Sequence, residues 1–211
     1  MILRPVVVAL TALLSGCIIF DQKSEAVVFH QFAAPTGASA QDADGTPVFV
    51  PRAIIPTALR RPNVVLLDDA GWVHIEDAHR WIAPLDRAIP ETVARHLRSR
   101  AGVITTTQTP SEDHVVLLLT VDKMEIFAPA GAERSIFSLP GSSDKESTAT
   151  LQLTCRVEKA DGTPISVKTL TRSRPLKERT PAAFVLAQSA NLAELSSEIA
   201  QWLPKPAPSS K

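Results

Sequence analysis

The chain has 211 residues, long enough for one domain with a proper core. Lysine plus arginine equals aspartate plus glutamate at 22 each, so net charge gives no electrostatic case for binding nucleic acid or an anionic membrane surface. Only two cysteines are present, Cys17 and Cys155, and no segment beyond the amino terminus is apolar enough to cross a membrane.

The first residues carry one charge, Arg4, followed by an apolar run over residues 5–14. That run is shorter than the roughly 20 residues a bilayer requires and fits the hydrophobic region of a secretory signal. Leu14-Ser15-Gly16-Cys17 follows, which resembles the lipobox of bacterial lipoproteins. The resemblance implies cleavage before Cys17 and lipidation of its thiol. Residues 1–16 are then the signal peptide and 17–24 a lipidated tether. The mature chain would work outside the cytoplasm, held by a lipid anchor, since several acyl chains bind firmly where one binds marginally. With Cys17 used by lipid, Cys155 has no intramolecular partner, and its alternating surroundings predict a buried, inert thiol.

The predicted domain spans residues 25–203. Residues 25–32 read as a first strand, 33–47 as a small, polar loop, and 48–54 as a second extended stretch before a turn over 56–61. A hairpin is expected from 63–67 and 72–75 around Asp68-Asp69-Ala70-Gly71. Residues 82–100 have helical periodicity, with Leu85, Ile89, Val93 and Leu97 in one stripe. Pro90 lies within it, so the helix either starts there or kinks there. Residues 114–127 form a long strand. Residues 128–145 read as a loop with room for a short strand at 135–139. A second hairpin is expected from 147–159 and 164–172, closed by Ala160-Asp161-Gly162-Thr163. Thr180 followed by Pro181 marks the start of a last helix, with Leu192, Leu195, Ile199 and Trp202 as its stripe. Pro204 stops it, and 204–211 read as a disordered tail. About six strands and two principal helices predict an α/β fold, a three-layer sandwich with a mixed, partly antiparallel sheet.

Catalytic motifs are sparse. His74 and His79, with Glu76 and Asp77 between them, have the residue types of a zinc site. Their spacing of five does not suit a helical pair, and on a strand it sends them to opposite faces. A polar strand end leading into the helix accounts for them better. The carboxylate pairs Asp68-Asp69 and Glu76-Asp77 sit beside turns. No phosphate-binding loop and no nucleophile elbow is present. No cofactor is expected.

One stretch carries a resemblance. Pro56, Leu59 and Arg60 match a P-x-x-L-x-R turn, and Arg80, Trp81, Pro84 and Leu85 match an R-W-x-x-P-L lead into a helix. With the lipobox and a carboxy-terminal helix, this order resembles the auxiliary lipoproteins of ABC-type transport systems, the PqiC-like (paraquat-inducible protein C) family. The resemblance implies a non-enzymatic lipoprotein subunit of a system moving lipid between two membranes. Its partner would be an MCE-domain (mammalian cell entry) or permease protein, with a homo-oligomer also open. Ile18, in place of the aspartate that retains many lipoproteins in the inner membrane, implies the periplasmic side of the outer membrane. The seven matching residues, Arg80 and Trp81 foremost, are expected to matter for structure or an interface. An interaction lipoprotein of another envelope system, such as one activating cell-wall synthesis, is the alternative.

Overall fold

The computed structural model describes residues 26–35, 46–67, 72–99, 103–106, 114–127, 147–178 and 180–204. Cys17, the lipobox, the Asp68–Gly71 turn, the short strand at 135–139 and the tail therefore lie outside the described residues.

Three long strands dominate. β6 (Val115–Phe127), β7 (Ser147–Lys159) and β8 (Pro164–Leu176) form an antiparallel meander. Alternation puts Leu151, Leu153, Cys155 and Val157 of β7 on one buried face. In β6 the buried set is Leu117, Leu119 and Val121, then Met124 and Ile126. The change of parity has a cause. Asp122 is an extra residue between Val121, opposite Leu153, and Lys123, opposite Gln152. This bulge turns the rest of β6 over so that its apolar residues stay inside. The β7–β8 turn is as expected: Gly162 has φ 84°, and the Asp161 carboxylate accepts from the Thr163 N–H at 2.8 Å.

β2 (Thr46–Phe49) adds in parallel to β6, and β5 (Val103–Thr106) adds in parallel to β2, giving the order β5-β2-β6-β7-β8. A second sheet, β1-β4-β3, joins β1 (Val28–His30) in parallel and β3 (Asn63–Leu67) in antiparallel fashion to β4 (Val73–Trp81). The strands thus divide into two mixed sheets.

Both helices cover the apolar face of the larger sheet. α1 (Leu85–Arg98) buries the expected stripe Leu85, Ile89, Val93 and Leu97, while α2 (Pro181–Trp202) buries Phe184, Leu192, Leu195 and Ile199. Thr180 caps α2, its Oγ1 accepting from the Ala183 N–H at 3.2 Å. Polar groups of α2 also tie it to the sheet. The Gln188 and Asn191 side-chain amides donate to the Thr150 and Ala149 carbonyls, each at 3.0 Å. On the edge strand, Lys168 and Arg172 pair with Glu198 at 2.8 and 2.6 Å, and Arg174 pairs with Glu194. Hydrogen bonds from Lys168 and Arg172 hold the Glu198 carboxyl below its ordinary range. Pro164 and Pro175, near the ends of β8, limit pairing by another strand.

Several boundaries differ from expectation. The first strand is only Val28–His30, because the backbone beyond it turns to insert Phe32 into the core. The second pairs over Thr46–Phe49, and Ile54 then makes a single bridge to Thr120. β8 continues to Leu176. α1 neither starts nor stops at Pro90 but runs continuously through it from Leu85. A proline there leaves the Asp86 carbonyl without its helical donor. The Ala53 N–H takes that role at 2.8 Å, so the helix defect becomes an attachment point for the chain after β2.

Candidate functional site

The residues singled out by sequence pattern converge on one corner. Leu59 closes a tight 3-10 turn, Thr57–Leu59, with its N–H donating to the Pro56 carbonyl at 3.0 Å. Leu59 is buried; Arg60 follows and is exposed. Across from this turn, β4 ends at Trp81, whose N–H donates to the Pro62 carbonyl at 2.7 Å. The Ile82 N–H donates to His30 at 2.9 Å, so the β4–α1 junction is tied to both neighbouring segments. Pro84 then precedes α1, its extended backbone (φ −54°, ψ 137°) breaking the strand and its carbonyl accepting from Arg87 and Ala88.

Between the turn and the junction lies a pocket of about 490 Å³. Ala53, Ile55, Leu59, Trp81 and Leu85 form an apolar lining, with Arg60, Arg61 and Asp86 also on the wall. Leu59, Arg60, Trp81, Pro84 and Leu85 all line it. Pro56 is half-buried behind the turn and does not line the pocket. Trp81 is 4% exposed and stacks on Phe32 with ring centroids 5.0 Å apart, so its bulk belongs to the core. Arg80 is exposed on the outward face of β4. It makes no ion pair among the described residues. Sequence pattern did not single out Ala53, Ile55, Arg61, Ile82 or Asp86 as wall residues. They meet only through the Ala53–Asp86 contact and the pairing of Trp81 with Pro62.

The histidines sort differently from expectation. β4 runs straight through His74–His79 rather than ending before it. His79 faces His30 of β1, Nδ1 to Nε2 at 2.8 Å with the rings stacked. Burial, then the nearby His79, lowers the pKa of His30 below its ordinary 6.5. The folded state then binds a proton less readily than the unfolded one, so the His30 contribution is present above about pH 6.5 and fades as pH falls below it. Hydrogen exchange at Val28–His30 is expected to accelerate between about pH 7.5 and pH 5.5 beyond its intrinsic rate change, and replacing His30 with phenylalanine should abolish that excess. No three histidine, cysteine, aspartate or glutamate side chains come together as a metal-ligand set among the described residues. Cys155 is fully buried, and desolvation pushes its thiol up to about 12, which makes it inert as predicted.

The family described as ABC-type transport auxiliary lipoprotein component matches residues 30–200, a span that contains this corner and nearly all of the described fold. The chain belongs to the ABC-type transport auxiliary lipoprotein family. The family names a transport accessory rather than an enzyme class, and it implies a transporter as partner. A crystal structure of an uncharacterized protein is similar, with a TM-score of 0.66 at 15% identity over 85% of this chain and 100% of that one. So is a Xanthomonas campestris protein of the DUF330 family, with a TM-score of 0.63 at 15% identity over 83% and 94%. These likenesses concern the fold alone. No curated protein sequence matches the chain. No helix among the described residues is long and apolar enough to cross a membrane.

Proposed function

We propose that this lipoprotein is anchored through Cys17 to the periplasmic side of the outer membrane and serves, without catalysis, as a docking or stabilising subunit of an intermembrane lipid transporter. Its partner on this reading is an MCE-domain or permease protein. The observation that carries it is the family match over residues 30–200, read together with the amino-terminal Leu14-Ser15-Gly16-Cys17. Ile18 supports the outer rather than the inner membrane. The physical role follows from tethering, since an anchored domain has a high effective concentration near its membrane and captures a partner's far end efficiently. The exposed Phe29, Ile54, Ile82 and Val167 give a partner several apolar contact points.

Detergent extraction of the tagged, lipidated chain from its own membranes, with mass spectrometry of co-purifying proteins, tests the reading. An MCE-domain or permease protein is expected, and it should be lost from a folded surface variant. Recovery of cell-wall enzymes alone, or of no partner while other envelope complexes survive, would reject it.

A further inference from the structure

The corner pocket has a chemical character that docking does not use. Its lining is apolar, and its volume of about 490 Å³ lies within the roughly 300–1,000 Å³ range of small-molecule sites. Arg60 and Arg61 stand on its wall. Both arginines are exposed, and neither makes an ion pair among the described residues. The contrast with β8 is informative, where Lys168, Arg172 and Arg174 are all engaged by glutamates. The carboxylate on the pocket wall, Asp86, is 3.5 Å from Arg52, which offsets its charge. Ile82, 66% exposed, adds an apolar lip, and Phe29, 62% exposed, lies across β4 beside Arg80. A balanced net charge over the whole chain conceals this local excess of positive charge.

An apolar cleft with unpaired guanidinium groups at its mouth matches a molecule that is apolar along its length and anionic at one end. We propose that the pocket binds an anionic amphiphile, an acyl chain lying against Leu59, Trp81 and Leu85 and a phosphate or carboxylate head held by Arg60 and Arg61. The site's position suits this ligand. The N–H of Ile82, on the pocket's lip, donates to the carbonyl of His30 in β1, and Val28 is only 11 residues beyond Cys17. Full extension of those residues spans about 40 Å, so an anchored chain keeps the pocket close to a lipid surface. The site would exist whether or not the chain serves a transporter, so it stands apart from the docking role.

A photo-reactive amino acid placed at Ile82 of the full chain, in its own membranes, provides the test, with the same probe at Val28 and at the distant, exposed Leu186 as references. Cells are grown in parallel with radioactive phosphate or radioactive acetate, and the label is read on the proteolytic peptide that carries the probe, separated from the acylated Cys17. Label is expected at Ile82 well above both references. Both isotopes together indicate a phospholipid, and acetate label alone a fatty acid. Combining Arg60→Gln and Arg61→Gln should lower the signal about tenfold, as expected for losing charge-assisted bonds, without changing protease resistance. Equal label at Val28 would mean that the domain merely lies near a bilayer. That outcome, absence of label at Ile82, cross-links to protein only, or label indifferent to the arginines would overturn the site. Co-purification of a transporter is read separately, so either idea fails without the other.

Discussion

Replacing Phe184 with alanine is expected to destabilise the domain by about 3–5 kcal/mol, the cost of emptying a large buried aromatic site. Phe184 is fully buried in the first turns of α2, where the helix meets β7 and β8. The surroundings leave little room for relaxation. The Gln188 and Asn191 amides hold the same helix to the Thr150 and Ala149 carbonyls, and the ion pairs from Glu194 and Glu198 hold its outer side to β8. The helix therefore does not settle into the cavity without breaking polar contacts. For a domain of this size the loss corresponds to roughly 10 °C in Tm, measured by thermal denaturation of the detergent-solubilised chain. A loss of under about 1 kcal/mol would show that α2 collapses onto the sheet and that its polar ties are weak.

Trp81→Ala should have a comparable effect, about 3–5 kcal/mol, for a different reason. Trp81 is where β1, β4, α1 and the Pro56–Pro62 segment meet. Its ring stacks on Phe32 and forms part of the corner pocket, and its N–H holds Pro62. Removing the indole leaves Phe32 without its stacking partner and enlarges a cavity already open to solvent. Trp81→Phe retains most of the apolar surface and should recover more than half of the loss. Urea denaturation of both variants separates them, and equal destabilisation would mean that the indole's shape rather than its apolar bulk holds the corner together.

Where one strand or helix carries its own pattern and terminators, the sequence showed the structure. The β7–β8 hairpin was legible because Leu151, Leu153, Cys155 and Val157 alternate and Asp161-Gly162 supplies the turn. α2 was legible from Thr180 and Pro181, and the stripe of α1 from Leu85 to Leu97. What escaped depended on pairing. β5 has only four residues, and its partner β2 lies more than fifty positions earlier, so no local periodicity marks it. β4 looked like a strand ending near Ile75 because the next residues are polar. Asp77, Ala78 and His79 have no partner in β3, and β1 supplies the partner of His79. Pro90 looked like a boundary because a proline costs a helix one hydrogen bond, and only the distant Ala53 N–H compensates. At the candidate site, Leu59, Trp81 and Leu85 were visible as motif residues. Arg61 and Asp86 were not, since each is an ordinary charged residue until the backbone brings turn and helix together.

The position of β1 has a mechanical consequence. A pull on the amino-terminal segment enters the fold at Val28 and runs along a strand that lies parallel to β4. Such a load shears the β1–β4 hydrogen bonds together rather than peeling them one at a time. Three paired residues would hold little by themselves. Behind them Phe32 is wedged against Trp81, and the Ala33 N–H donates to Ser189 of α2 at 3.3 Å. Phe32 thus acts as a bolt on the inner side of a short strand, and tension must draw an aromatic ring out of the core before it frees the chain. Resistance to traction is concentrated at the first residues after the tether, and the long meander of β6, β7 and β8 lies behind that bolt, outside the first line of force.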